Sequence, residues 1–357
     1  MANEEERAAM DPIYCAQSAF KYYRTPPQVL ALLPEIPVAR DRGTRMGLRK
    51  NPTVINALGL PMHTLVFDGS QRTNAKFTTT HLWTRELPPE ALREGTPVGT
   101  VTSPLFTLFT MATSVDAPEL AMAMHEFCGE FTVYEPSDEV ESALDQAPAL
   151  GGWRRVVGDH GEPTSLWQRP ALIEPRELAA FGERMAGYRG CRTFQKAAGM
   201  VLGATRSPFE VQAAMLLGLP RALGGHGFSV QTNKVIALTA EAKMLAGRDY
   251  CVADIYIESV NGRLAVDVEC QGAAVHSSLG AATSDADRTC ALESMGIDVV
   301  LLSYAQVQDA ARLDLVADLI ARKLGEPAAP KTERMVEAEK TLRRALFIDW
   351  RGLCGVS

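Results

Sequence analysis

The sequence is poor in the features that cross-link a protein or anchor it in a membrane. Its seven cysteines are scattered and never form a C-x-x-C pair, which argues against a zinc site and against a disulfide framework. No segment approaches the roughly 20 consecutive apolar residues of a membrane-spanning helix. The first ten residues are acidic and lack the apolar core of a signal peptide. We therefore expect a cytoplasmic protein with reduced thiols and no membrane partner.

Positive charge is also in deficit, since 36 Lys and Arg residues face 43 Asp and Glu residues and the formal net charge is −7. The total does not indicate a strongly basic nucleic-acid binder, although it does not exclude a local patch. One dense basic run lies between positions 38 and 51 and contains five cationic residues: Arg40, Arg42, Arg45, Arg49 and Lys50. A solvated loop is the simpler interpretation of this run. Contact with the phosphates of DNA is the alternative, and these five residues are its candidates.

The length of 357 residues and the hydrophobic fraction of 46% predict two globular domains with a sizeable core. We expect an α+β N-terminal domain over residues 1–170, a helical connection over 171–204, a C-terminal α/β domain over 205–325, and a helix and tail over 326–357. The C-terminal domain is predicted to contain a helix after Ser207, a strand pair turning at Asn261-Gly262, a helix, and a last buried strand. Its predicted strands are Phe228–Leu238, Arg248–Glu258, Arg263–Cys270 and Ile297–Ser303.

Carboxylates occur within these predicted strands, where apolar side chains are usual. Asp254 lies inside an apolar strand, and Asp267 and Glu269 alternate along the next strand, so the latter two share one face. The predicted hairpin brings Asp254 close to Glu269, and Glu210 lies in the first turn of the preceding helix. Carboxylates in a cleft are costly unless they are paired, protonated or bound to a cation. The set therefore indicates a site for a divalent cation, most naturally Mg2+.

The order of these elements resembles the PD-(D/E)XK nuclease superfamily, and within it the very-short-patch-repair-like domains of bacterial proteins. The resemblance covers about 115 residues and is carried by these segments, in chain order: Ser207-Pro208-Phe209-Glu210, Asp254, Glu269-Cys270-Gln271-Gly272, His276, Asp287-Arg288 and Gly296-Ile297-Asp298-Val299-Val300. It implies a restriction-endonuclease-like mixed sheet flanked by helices. It also implies that Asp254 and Glu269 bind Mg2+, with Glu210, Gln271 and His276 as further catalytic residues and Arg288 as a contact to nucleic acid.

Position 271 departs from this pattern, because it is Gln where the superfamily has Lys. A neutral amide supplies no positive charge to water or to the developing phosphorane, and His276 and Arg288 are candidates for the missing polarity. A second resemblance covers residues 81–112, which are similar to the antitoxin family of abortive-infection type IV toxin–antitoxin systems. This resemblance implies a defence or toxin–antitoxin setting and a toxin or regulatory protein as a partner.

Each candidate residue also has a simpler structural interpretation. Asp254 and Glu269 could be surface residues of edge strands, and the helix dipole alone favours an acid such as Glu210 by about 0.3–1 kcal/mol. His276 could be an ordinary surface histidine, and Cys270 is expected to point into the core as a small hydrophobe. Three functions therefore stay open. They are a Mg2+-dependent DNA endonuclease, a non-catalytic DNA- or protein-binding regulator that retains the nuclease fold, and a nuclease-fold domain that serves only as an oligomerisation scaffold.

Overall fold

The computed structural model describes residues 12–33, 51–144, 149–158, 161–271, 279–326 and 330–355. Helices and strands are interspersed through these ranges, and the strands form three sheets. This confirms the predicted α/β class. Within the same ranges, no helix is long and apolar enough to cross a membrane. All seven cysteines fall inside them and carry free thiols.

The first part of the chain forms a six-stranded mixed sheet. Its strands are β1 (Ile13–Tyr14), β2 (Met62–Val66), β3 (Asn74–Ala75), β4 (Thr78–Leu82), β5 (Leu92–Thr96) and β6 (Gly99–Thr102). They lie in the order β3-β4-β2-β1-β6-β5, with β1 antiparallel to β2 but parallel to β6. The helices of this region are α1 (Ala16–Arg24), α2 (Pro27–Leu30), α3 (Pro52–Leu58), α4 (Pro104–Met111) and α5 (Ala117–Cys128), with a short 3-10 helix at Gly69–Gln71.

A small antiparallel sheet and two helices follow. The sheet consists of β7 (Phe131–Val133), β8 (Arg154–Val157) and β9 (Pro163–Gln168) in the order β7-β9-β8, and α6 (Asp138–Leu144) lies between β7 and β8. The helical connection predicted over residues 171–204 contains two helices, α7 (Pro175–Arg184) and α8 (Cys191–Ala198). They are separated because Gly187 and Gly190 adopt positive φ angles of 81° and 90°, which end a right-handed helix.

The last part of the chain contains a four-stranded sheet with helices on both faces. Its elements are α9 (Pro208–Gly218), β10 (Val230–Ala237), α10 (Ala240–Ala246), β11 (Tyr250–Glu258), β12 (Ala265–Gln271), α11 (Leu279–Ser294), β13 (Ile297–Ser303), α12 (Tyr304–Gln308) and α13 (Ala310–Lys323). The order is β10-β11-β12-β13, in which β10, β11 and β12 are antiparallel and β13 runs parallel to β12. The chain continues into α14 (Glu333–Leu346), and further 3-10 helices lie at Arg221–Leu223 and Trp350–Gly355.

Local sequence explains why these elements begin and pair where they do. The Ser207 hydroxyl caps α9 by accepting a hydrogen bond from the Glu210 amide, with Pro208 at the first helical position. The turn at Asn261-Gly262 joins β11 to β12 as predicted, because Gly262 supplies a φ of 67° and the Asn261 side chain accepts from the Arg263 amide. These two signals fix the helix and the hairpin on which the candidate site is built.

The described C-terminal residues return to the first part of the chain and close a buried ion pair there. The Arg24 guanidinium donates from Nε to Glu126 at 2.7 Å and from Nη2 to the Trp350 carbonyl at 2.7 Å. Glu126 also accepts from the Thr132 hydroxyl at 2.5 Å. Arg24 and Glu126 are both buried, so each charge depends on the other for compensation.

His125 lies one residue before this ion pair and is fully buried on α5. Burial lowers the pKa of His125 to about 4, while the usual value is 6.5. Between pH 6.5 and 4, His125 therefore binds a proton in the unfolded chain but stays largely neutral in the folded chain. The free energy of unfolding decreases as the pH falls through this window. We expect His125→Leu to reduce the slope of unfolding free energy against pH by up to about 1.4 kcal/mol per pH unit there. Urea denaturation at a series of pH values measures this slope, and an unchanged slope would show that burial does not lower the pKa of His125.

Candidate metal and catalytic site

The candidate site lies where β11 and β12 separate. Their ladder pairs Tyr256 with Asp267 and Ile255 with Val268, and extends no further in this direction. Beyond that pair, the backbone amide of Cys270 donates to Oδ2 of Asp254 at 2.9 Å. The Asp254 carboxylate thus replaces a strand carbonyl at the point of separation. Its hydrogen-bond partner, Cys270, is the residue that follows Glu269 in the chain.

Arg288 of α11 links the acidic residues of β12. Its Nη2 donates to Asp267 at 3.0 Å, to Glu269, and to the Val252 carbonyl of β11 at 2.7 Å. Asp267 is fully buried, and the side chains of Glu269 and Arg288 are each 16% exposed. The Arg288 guanidinium therefore points into the carboxylate cluster, and its predicted contact with nucleic acid stays a prediction.

Burial, reinforced by neighbouring negative charges, raises the pKa values of two carboxyl groups in the cluster. Burial, followed by the charges of Glu269 and Glu210, raises the pKa of Asp254 to about 7. Burial and Glu269 raise the pKa of Asp267 to about 9, although the ion pair with Arg288 opposes this. A pKa of about 9 leaves Asp267 mostly protonated at neutral pH. Burial alone would lower the pKa of Arg288, but the surrounding carboxylates raise it above its usual value, so the guanidinium stays charged.

Glu210 lies near this cluster but is bound to the start of its own helix. Its Oε2 accepts from the Arg206 amide at 2.7 Å and its Oε1 from the Ser207 hydroxyl at 2.9 Å. Burial raises the pKa of Glu210 even though these hydrogen bonds lower it. Its hydrogen bonds favour a capping role, whereas its charge still acts on Asp254.

The remaining predicted residues are placed less centrally or lie outside the described residues. Gln271 ends β12 and is exposed. Cys270 packs against the core, as expected, and burial raises the pKa of its thiol well above the usual value, so it is a poor nucleophile. Asp287 is exposed beside the inward-pointing Arg288. The remaining candidates fall outside the described residues: His276, Arg40, Arg42, Arg45, Arg49 and Lys50.

Two features of the site were not predicted, the contact of Asp267 with Arg288 and the position of Asn233. Asp267 was placed on the same face as Glu269, but its role as a partner of Arg288 depends on a helix contact that spacing does not reveal. Asn233 interrupts the pairing of β10 with β11, between Thr232 and Lys234, and its φ angle is 49°. Its Nδ2 donates to the Ala204 carbonyl at 2.9 Å, and its amide also lowers the pKa of Glu210. The sequence signal that could have identified this position is an Asn inside a predicted strand, since Asn tolerates a positive φ angle.

A different group has the closest set of metal-type ligands in the described part of the chain. One ligand atom from each of His226, Asp314 and Glu339 lies within 4.8 Å of the others, whereas no three carboxylates of the strand cluster approach one another that closely. The Lys331 ammonium, however, forms ion pairs with both Asp314 and Glu339, and Arg343 pairs with Glu339 at 2.8 Å. This second group therefore already holds two cationic side chains.

Comparison with known proteins adds no relative. No protein-family model, no curated protein and no solved structure matches the chain.

Proposed function

We propose that this chain is a Mg2+-dependent phosphodiester hydrolase of the PD-(D/E)XK type, acting on DNA in a defence or toxin–antitoxin setting. The observation that carries the proposal is the cluster of Asp254, Asp267 and Glu269 at the point where two antiparallel strands separate. The mixed sheet, with its last strand parallel to β12 after a crossing helix, supports the restriction-endonuclease-like fold that the resemblance implies.

The residues fit Mg2+ by their chemistry. Hard carboxylate oxygens and water are its preferred ligands, and one or two carboxylates suffice. The cluster carries more carboxyl groups than cations among its described members. Burial, reinforced by the charges of Glu269 and Glu210, raises the pKa of Asp254 to about 7. A divalent cation would relieve the same repulsion. Glu269 would have to exchange its contact with Arg288 for the metal.

Each residue then has a defined task in hydrolysis. Asp254 and Glu269 would hold the ion, with the Cys270 carbonyl as a third ligand. When bound, Mg2+ supplies a hydroxide near neutral pH and a counter-charge for the scissile phosphate. Gln271 and His276 would orient the attacking water, and Glu210 would tune the charge of Asp254. Arg288, once released from Glu269, could bind a phosphate oxygen.

The partners are part of the same proposal. DNA would be held through its phosphates by the basic run from Arg40 to Lys50, and binding would then weaken steeply with salt. The toxin or regulatory protein partner rests on the resemblance of residues 81–112 to antitoxins.

A non-catalytic regulator is the second candidate, and the position of Arg288 favours it. Its guanidinium already compensates Glu269 and Asp267, as a metal would, and Gln271 lacks the charge of the superfamily lysine. In this case, the nuclease fold would serve only to bind DNA or protein.

Gln271→Lys distinguishes the two candidates. The exposed end of β12 accommodates the longer side chain, and its ammonium would restore a positive charge beside the metal ligands. We expect the variant to keep or raise cleavage of DNA if the chain is a nuclease. The measurement is the rate of plasmid and oligonucleotide cleavage with Mg2+ or Mn2+. Absence of cleavage by both wild type and variant, on DNA and RNA alike, would favour the regulator.

A further inference from the structure

A cavity of about 320 Å³ opens in the N-terminal part of the chain. It is bounded by β2, β4 and the residues after β4, by α4, and by the connection between α7 and α8. It shares no lining residue with the carboxylate cluster. Its volume lies at the lower end of the range for small-molecule sites, which is about 300–1,000 Å³, so it suits a single small ligand.

Three arginines line this cavity: Arg72, Arg85 and Arg189. None of its described lining residues is an Asp or a Glu. Arg85 is held in place, since it donates to the Gly187 carbonyl at 3.3 Å and its guanidinium lies 4.6 Å from the centre of the Tyr188 ring. Arg72 and Arg189 are exposed, and their guanidinium groups form no hydrogen bond or ion pair with a described residue. On a chain of net charge −7, this local excess of positive charge indicates an anionic ligand.

The aromatic side of the cavity is rigid. Trp83 stacks on Tyr188 with ring centres 5.3 Å apart and planes inclined by 12°. Trp83 also contacts the buried ring of Phe106 edge-on at 4.9 Å. Flat, fixed rings of this kind favour a planar ring in the ligand, because stacking then costs little ordering.

A histidine pair adds a polar group to the same wall. Nε2 of His81 lies 2.8 Å from Nδ1 of His63, and this hydrogen bond fixes the His81 ring. The other nitrogen of His81, Nδ1, has no described partner. A fixed imidazole beside arginines is a suitable group for a phosphate or sugar oxygen.

We propose that this cavity binds a nucleoside 5′-phosphate, with the phosphate on Arg72 and Arg189 and the base against Trp83 and Tyr188. The ligand would be either a free nucleotide or the phosphorylated 5′ end of a strand, since both present the same group. This site is independent of the proposed hydrolase activity, because its residues lie outside the carboxylate cluster.

Calorimetric titration of the full chain tests the proposal with defined probes. These are the four nucleoside 5′-monophosphates, adenosine, inorganic phosphate, and a short oligothymidylate with and without a 5′-phosphate. We expect at least one nucleotide to bind more tightly than both adenosine and phosphate. Arg72→Ala and Arg189→Ala should each weaken that binding roughly 10- to 100-fold, since each removes a charged hydrogen-bond donor. Arg192→Ala is the matched control: Arg192 is exposed on α8 and does not line the cavity.

The arms of the titration separate the outcomes. Tight binding of mononucleotides assigns the site to free nucleotides, whereas binding of only the 5′-phosphorylated oligonucleotide assigns it to strand ends. Equal affinity for phosphate and nucleotides would overturn recognition of the base. Lack of binding by every probe, or equal weakening by Arg192→Ala, would overturn the proposal. Thermal melting of each variant verifies that it is folded.

Discussion

Asp254→Ala is expected to abolish metal-dependent cleavage of DNA. Asp254 is held at the strand separation by the Cys270 amide, and Glu269 is the other proposed ligand. With one of two ligand carboxylates removed, the ion would be lost, and with it both the hydroxide and the counter-charge on the phosphate. We expect a rate loss of about 10³-fold or more, on the scale of other essential electrostatic groups. The measurement is the initial rate of plasmid cleavage with Mg2+.

Asp287→Ala is the matched control for this experiment. Asp287 is also an aspartate of the C-terminal domain, but it is exposed on α11, whereas its neighbour Arg288 contacts the cluster. Its replacement should leave the rate within a few-fold of wild type. Cleavage that persists in an Asp254→Ala, Glu269→Ala double variant would place the chemistry elsewhere in the chain.

Glu126→Ala should strongly destabilise the fold. Glu126 is fully buried and accepts from Arg24 through two hydrogen bonds, of 2.7 and 3.0 Å. Its removal leaves the buried Arg24 guanidinium without its charge partner, and a broken buried ion pair costs about 3–5 kcal/mol. The contact of Arg24 with the Trp350 carbonyl would be weakened as well. Urea denaturation followed by circular dichroism measures the loss.

Glu130→Ala provides the comparison for this substitution. Glu130 also pairs with an arginine, Arg206, at 3.0 Å, but their side chains are 56% and 46% exposed. An exposed ion pair contributes only about 0–1 kcal/mol. Similar losses for the two variants would show that burial of the Arg24 pair does not determine its contribution.

The sequence predicted the elements of the C-terminal sheet well because their signals are local. Alternating apolar residues predicted β11 and β12, Asn261-Gly262 predicted the turn, and Ser207-Pro208 predicted the start of α9. The short helix α10 was not predicted, although Thr239 caps it and Gly247 ends it with a φ of 62°. Its seven residues are too few for a clear helical periodicity.

The site was predicted only in part because its contacts are long-range. Spacing along one hairpin was enough to bring Asp254 near Glu269. Spacing could not show that Arg288 turns inward, because one step along a helix separates it from the exposed Asp287. Nor could it show that both carboxylate oxygens of Glu210 accept hydrogen bonds at the start of its own helix, since the same position suits a helix cap and a metal ligand.

The most direct test of the central claim is the anomalous density of Mn2+ in crystals of the wild-type protein soaked with manganese. We predict a peak between the carboxylates of Asp254 and Glu269, with Arg288 displaced from Glu269, and its loss in Asp254→Ala crystals. A peak confined to His226, Asp314 and Glu339 would contradict the account. So would an empty cluster with Arg288 still bound to Glu269.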